Sequence, residues 1–221
     1  MSTNGMWQTF LFGSFVVALI FSSAKIASGL SRKERRQLEE EIRQLVASLG
    51  RVTAPINTPE LRRLYDDADY PRMLGWIKNQ MRLDLRVGLR VVDSRDAKNP
   101  MWIETPRPMP IYGSREFRQT RVIVNVRKEI LDKHPFEFVV AGFAHELSHV
   151  VLFSIGHPLQ HSERAVDLTS MILGYRNFVI RTDRTIYGNG VRVHSSLGYL
   201  TRFEKEYAHA HLARIESAAA S

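Results

Sequence analysis

The sequence predicts an α+β domain behind an N-terminal transmembrane helix, and three observations support this prediction. Residues 6–24 carry no charged side chain, and an apolar helix of this length crosses a hydrocarbon core of about 30 Å. Valine-rich segments at residues 85–93 and 121–127 have the composition of strands. Longer segments beside them have the apolar spacing of helices. A chain of 221 residues, 44% of them hydrophobic, suffices for one ordinary domain with an appendage.

The apolar run is interpreted as a single-pass anchor within residues 1–30. Trp7 lies where an interfacial aromatic residue is expected, and no Lys or Arg precedes Lys25. A cleaved signal peptide would carry positive charge before its apolar run. Basic residues follow the run instead, at Lys25, Arg32, Lys33, Arg35 and Arg36. The positive-inside bias therefore predicts a domain on the cytoplasmic side of the cell (inner) membrane, with a periplasmic domain as the alternative.

Residues 31–57 are predicted to form a charged helical stalk and a linker. Ser31 followed by Glu34 resembles a capping box, which predicts the start of a helix over residues 31–49. Glycine, asparagine and two prolines in residues 50–59 indicate the linker.

The remaining residues, 58–221, form the predicted domain. Its elements are a helix at 61–83 broken near Pro71, a strand at 85–93, a proline-rich loop at 99–114 with a short strand at Trp102 and Ile103, a strand at 121–127, a helix from Pro135 to Ser154, a second at 162–180, a hairpin turn at 188–190 and a last helix at 202–215. The VIVNV strand at 122–126 is either a sheet edge open to an extended peptide or an interior strand.

Composition limits the classes of function. The chain has no cysteine, which excludes disulfides and thiolate metal ligands, so a metal ion would need His, Asp or Glu. The net charge of +8 is spread along the chain without an RNP-like, zinc-finger or helix-turn-helix pattern. We therefore predict no nucleic-acid partner.

Residues 145–149 read HELSH, a pattern with metal-site spacing. His145 and His149 are four residues apart, so on a helix both imidazoles reach one ion. In H-E-x-x-H sites the adjacent carboxylate, here Glu146, takes a proton from the metal-bound water. The alternative is a core helix with two hydrogen-bonded histidines and a solvated glutamate.

A catalytic zinc usually has three protein ligands and one open position. His157 does not fit the metzincin pattern, because Leu152 occupies the position of its glycine, and His161 has no motif behind it. Glu163 and Asp167, in ERAVD, are four residues apart and share one face of the next helix.

HELSH followed by ERAVD resembles the gluzincin group of zinc metallopeptidases, over about residues 143–175. The resemblance implies a compact zincin-like fold and a Zn²⁺ ion held by His145, His149 and Glu163. It also implies that Asp167 accepts the outer N–H of a ligating histidine, a role that fixes ring orientation. Asp167 as the third ligand is the alternative. The short gap before Glu163 favours a minimal domain over a long two-lobed protease.

The predicted function is a membrane-anchored zinc metallopeptidase that hydrolyses peptide bonds of a peptide or protein substrate, with a zinc-bound water and Glu146 as general base. One of His194, Tyr199 and Tyr187 is the expected donor to the oxyanion, with ordinary packing as the alternative for each. Two rival functions are an intramembrane protease, suggested by the apolar residues 136–156, and a non-catalytic zinc-stabilised regulatory or interaction module at the membrane.

Overall fold

The computed structural model describes residues 29–93, 99–188, 191–195 and 198–220, and for the strands within residues 184–195 it gives the backbone pairing. The predicted anchor, with its apolar run at residues 6–24, lies outside the described residues. The described part is α+β, as predicted.

The elements have these bounds in chain order: α1 Arg32–Leu49, α2 Pro59–Asp66, α3 Tyr70–Gln80, β1 Arg86–Val92, β2 Met101–Glu104, α4 Arg115–Gln119, β3 Arg121–Arg127, α5 Lys128–Lys133, α6 Phe136–Ser154, α7 Glu163–Ser170, α8 Arg176–Val179, β4 Arg184–Gly188, β5 Val191–Ser195 and α9 Arg202–Ala220. A π-helical turn, Met171–Tyr175, joins α7 to α8. The break between α2 and α3 falls just before Pro71, close to the predicted place.

Helix α1 begins at the predicted capping box. The Ser31 N–H donates to Glu34, and the Glu34 N–H donates to the Ser31 hydroxyl. The helix differs from the predicted stalk, however, because it packs against α7 and α9. Leu38, Ile42 and Leu45 form one stripe at helical spacing and are fully buried. Residues 31–49 are therefore an integral part of the folded domain.

The predicted linker also packs on the domain. The Thr53 N–H donates to the Ile172 carbonyl at 2.8 Å, and the Ile56 N–H donates to Gly174 at 2.9 Å. These contacts use the π-helical turn, where Gly174 has φ +102° and interrupts the helix predicted over residues 162–180. A side chain on Gly174 would meet the Ala54 carbonyl at 2.8 Å, so the close approach of the linker requires glycine.

The main sheet has the strand order β1-β3-β2. Strand β3 pairs with β1 in parallel and with β2 antiparallel, so it lies in the centre. The edge prediction for VIVNV is therefore wrong, and the interior alternative is confirmed. Val122, Val124 and Val126 are fully buried on one face, as the alternating pattern requires.

Helix α6 runs through the core. It contacts α3, α7, α8 and strand β2, and nearly every side chain on it is buried. Among the residues that the structure describes, α6 alone is long and apolar enough to cross a membrane. Because 83% of its apolar stretch is buried inside the protein, α6 is a core helix of the described domain.

Candidate metal centre

The two histidines of HELSH lie on one face of α6, at the position that packs against α7. Their ring centroids are 5.1 Å apart, and the ring planes are 80° apart. Both side chains are almost completely buried. The four-residue spacing thus places the two imidazoles together, as the sequence predicted.

Helix α7 supplies a carboxylate to the same point. Glu163 is its first residue, directly after the Ser162 hydroxyl that accepts from the Ala165 N–H and caps the helix. The Glu163 Oε2 atom lies 3.3 Å from His145 Nε2 and 3.4 Å from His149 Nε2. Among the described residues, these three side chains form a group whose ligand atoms all lie within 4.8 Å of one another.

The group fits a metal ion. Two imidazole nitrogens and one carboxylate oxygen are the donor set of an open three-ligand site. His149 Nε2 and Glu163 Oε2 are buried, and neither makes a hydrogen bond of normal geometry within the described part of the chain. Buried polar atoms without such a bond destabilise the fold, and a cation bound between them would remove that cost. The group His145, His149 and Glu163 can therefore bind a metal ion.

Asp167 lies one turn beyond Glu163 and approaches His145 from the other side of its ring. Asp167 Oδ1 is 2.8 Å from His145 Nδ1, so it accepts the outer N–H when Nε2 faces the metal. The second oxygen accepts backbone N–H groups from Tyr199 at 2.6 Å and Leu200 at 3.1 Å. Asp167 is thus outside the ligand group and orients a member of it.

Glu146 lies beside the group with a fully buried carboxylate. Neither of its oxygens makes a hydrogen bond of normal geometry within the described residues. Burial, together with the negative charge of Glu163, raises the pKa of Glu146 to about 8, against the opposing effect of His145. A carboxylate with a pKa near neutrality exchanges protons readily at physiological pH.

The ionisation of the ligand group in the absence of metal is strongly coupled. Burial opposes a charge on His145, but the hydrogen bond to Asp167 and the nearby carboxylate of Glu163 outweigh it and raise the pKa of His145 to about 10. Burial lowers the pKa of His149. Burial favours protonated Glu163, but its two histidine partners hold its pKa at about 2. Without metal, the proton is therefore held on His145.

The three predicted oxyanion donors have different outcomes. Tyr199 lies at the site, with its ring 6.1 Å from that of His145 and 21° from parallel to it. Burial and the charges of Glu163, Asp167 and Glu146 raise the pKa of Tyr199, so its hydroxyl keeps its proton. His194 pairs with Thr185 and Tyr187 with Arg192 across the β4–β5 hairpin, but their side chains lie outside what is described.

The two rejected histidines are outside the ligand group. The His157 ring nitrogen Nδ1 accepts the Leu159 N–H at 3.0 Å, and this bond caps a turn. The His161 ring lies 5.6 Å from that of Phe153, which in turn stacks on His149 at 5.9 Å.

A pocket that sequence reasoning missed lies beside these rings. It has a volume of about 250 Å³ and is lined by Thr105, Pro106, Pro108, Met109, Phe153 and His161, among others. The proline-rich loop was predicted, but the sequence carries no signal that this loop faces the end of α6. The Phe153 ring lies between this pocket and His149 of the ligand group.

Comparisons with protein-family models, curated proteins and solved structures give no match to this chain.

Proposed function

We propose that this protein is a membrane-anchored zinc metallopeptidase with its domain on the cytoplasmic side of the membrane. The observation that carries the proposal is Glu146, a fully buried carboxylate without a hydrogen bond of normal geometry beside a His-His-Glu ligand group. A structural metal site has no need of such a carboxylate, and burying it is costly.

The geometry supports the following roles. His145, His149 and Glu163 would hold the ion, and Asp167 keeps the His145 ring in the orientation that turns Nε2 towards it. A bound zinc ion would lower the pKa of a water towards about 7 and polarise a substrate carbonyl. Glu146 takes the proton from the attacking water and returns it to the leaving amine. The Tyr199 hydroxyl is the proposed donor to the oxyanion.

The outer strand β2 offers a peptide a path past these groups. Strand β2 pairs with β3 on one side and is an outer strand of the described sheet. Its residue Ile103 lies close enough to Glu146 for its backbone N–H to influence that carboxylate. An extended substrate that paired with β2 would pass Glu146 and could place one side chain in the pocket beside Phe153.

One observation favours a second candidate, a non-catalytic zinc-stabilised module. His145, Glu146 and His149 are almost completely shielded from solvent, and Glu163, at 19% side-chain exposure, is the most accessible member of the group. A catalytic zinc needs a position that substrate can reach, and this shielding limits access to the group, which favours a structural role for the ion.

The first experiment measures the metal content of the full chain, purified in detergent, by mass spectrometry. We expect about one zinc ion per wild-type chain and loss of zinc in His149→Ala and Glu163→Ala. His161→Ala is the matched control and should keep its zinc. A folded wild-type protein without metal, even after zinc is added, would contradict the proposal.

The second experiment separates the two candidates. Glu146→Gln should keep zinc and lose cleavage of an unstructured peptide mixture by about 10²- to 10⁴-fold, whereas Glu137→Gln on the same helix should leave both unchanged. Zinc-loaded wild-type protein that cleaves nothing would favour the module. Cleavage that survives in Glu146→Gln would show that another group is the base.

A further inference from the structure

Three large apolar side chains are exposed on two neighbouring loops. Ile111 is 75% exposed, Tyr112 is 45% exposed and Ile155 is 36% exposed. The loops are joined, because the Tyr112 N–H donates to the Ser154 carbonyl at 2.9 Å, next to Ile155. We name these three residues the apolar tip. Most exposed apolar residues occur singly, so a cluster of this kind indicates a contact surface.

Arginines lie next to the apolar tip. The Tyr112 hydroxyl donates to the Arg82 carbonyl at 2.9 Å, and the Arg118 guanidinium donates to Gly113 at 2.6 Å. The same segments, which meet where β1 pairs with β3, carry these exposed arginines: Arg82, Arg86, Arg115, Arg118 and Arg121. Their exposed carboxylates are Asp84 and Glu116, so positive charge predominates.

The apolar tip is at the end of the domain where α6 finishes. Strand β2 runs parallel to α6, since Met101 lies against Gly142 and Ile103 lies near Glu146. Strands β1 and β3 run the opposite way, so their first residues, Arg86 and Arg121, lie towards the end of α6. The arginines and the apolar side chains therefore lie at the same end of the domain.

Helix α1 begins at this end as well. It runs parallel to α7, because Glu41 contacts Arg164 near the start of α7 and Thr53 bonds to Ile172 beyond its end. The first residue of α1, Arg32, is nine residues before Glu41, which places it about 13 Å beyond the start of α7. The 28 residues before the described chain, including the apolar run at residues 6–24, therefore join the domain at the end that carries the apolar tip.

We propose that the apolar tip and its arginines dock on an anionic membrane surface. Apolar side chains surrounded by arginines match the interface of a bilayer, where the side chains enter the headgroup region and the guanidinium groups meet lipid phosphates. Each arginine near an anionic leaflet contributes about a fivefold gain in the docking equilibrium. This contact is additional to the predicted anchor and depends on neither the metal nor the peptidase activity.

The test uses the natural absence of cysteine, which allows one fluorophore to be attached at a chosen position. The full chain with Ile111→Cys is labelled with an environment-sensitive dye and reconstituted into phosphatidylcholine vesicles with or without phosphatidylglycerol. Lys133→Cys is the matched control, because it is exposed and lies before the start of α6, at the opposite end of the domain.

We expect the dye at position 111 to emit at shorter wavelength in the anionic vesicles and to be quenched by a nitroxide lipid, while the dye at 133 behaves as in water. The shift should be lost at 1 M salt, where the Debye length is about 3 Å. The shift should also be lost in the double variant Arg86→Glu, Arg115→Glu. It should be kept in the double variant Arg51→Glu, Arg63→Glu, which makes the same change of charge at the opposite end of the domain.

Two results would overturn the proposal. One is a dye at position 111 that remains in water in both kinds of vesicle. The other is an equal shift in neutral vesicles, anionic vesicles and high salt, which would show that protein covers the apolar tip, either residues 1–28 or a second copy of the chain. Loss of zinc or of cleavage would change neither readout, so the proposed function and this contact fail separately.

Discussion

Gly198 lies so close to Asp167 that a methyl group on the glycine would overlap the carboxylate. An added Cβ would be 2.6 Å from Asp167 Oδ2 and 2.8 Å from Oδ1. Gly198 also has φ +95°, which disfavours any side chain. The close approach allows the next two N–H groups of the chain to bind Asp167, so the glycine connects the loop carrying Tyr199 to the residue that orients His145.

Gly198→Ala should therefore destabilise the protein and weaken the metal site together. Backbone strain at positive φ costs about 1 kcal/mol or more, and displacement of Asp167 adds to that cost. Gly50→Ala is the matched control, because Gly50 also has positive φ but has no atom within 4 Å of an added Cβ. Thermal unfolding should show a larger loss of stability in Gly198→Ala than in Gly50→Ala. Competition with a chelator should show a loss of zinc affinity in Gly198→Ala alone. Equal effects in both variants would contradict the arrangement at Asp167.

Asp167→Asn should lower the zinc affinity by about 10- to 100-fold without removing a ligand. An amide accepts through one atom only, whereas Asp167 accepts from His145 on one oxygen and from two backbone N–H groups on the other. The measurement is competition with a zinc chelator. Asp132→Asn, at an exposed ion pair with Lys128, should leave the affinity unchanged. A zinc-free Asp167→Asn protein would instead favour Asp167 as a ligand.

Zinc binding should release protons and tighten as the pH rises. In the metal-free protein the raised pKa of His145, about 10, keeps this ligand protonated throughout pH 6 to 8, so binding must displace its proton. Displacement of the His145 proton alone should make the zinc affinity rise about tenfold per pH unit. Calorimetry in buffers with different ionisation enthalpies counts the protons.

Glu146 should add to this release below pH 8, because its raised pKa of about 8 falls when a cation binds beside it. The wild-type protein should therefore release more protons than Glu146→Gln, which should release about one. Zinc affinity that does not change between pH 6 and 8 would contradict the charged state of His145.

Truncating Ile42 should destabilise the whole domain. Its side chain is fully buried between α1 and the core, so Ile42→Ala should cost about 2–5 kcal/mol in the free energy of unfolding. Arg36→Ala, on the exposed face of the same helix, should change it by less than about 0.5 kcal/mol. Equal stability of the two variants would restore the separate stalk that the charged sequence suggested.

Sequence periodicity predicted the elements that bring the ligand group together. The i, i+4 spacing places His145 with His149 whatever the rest of the fold, and the capping serine fixes where α7 begins and hence where Glu163 points. Helices α4 and α5 were missed, because five or six residues are too few to show a helical period.

The features that were not predicted depend on contacts distant in sequence. The buried stripe of α1 was visible at Leu38, Ile42 and Leu45, but its charged neighbours dominated the interpretation. The central position of β3 follows from pairing that periodicity does not encode. The backbone donors to Asp167 come from a loop 32 residues away, and backbone groups leave no mark in a sequence.

The packing of α1 also limits the distance between the predicted anchor and the ligand group. Leu30 already packs against the core, so only five residues separate it from Ala24, the last residue of the apolar run, and the six steps of chain between them span at most about 20 Å. If residues 6–24 lie in a bilayer, the distance from the lipid to His145 and His149 is at most this linking chain plus the first turns of α1. Together these keep the two histidines within about 35 Å of the lipid. An extended chain covers that distance in about ten residues. The proposed peptidase would therefore cleave only at sites within this distance of the membrane. It would not reach proteins that lack a segment near the membrane.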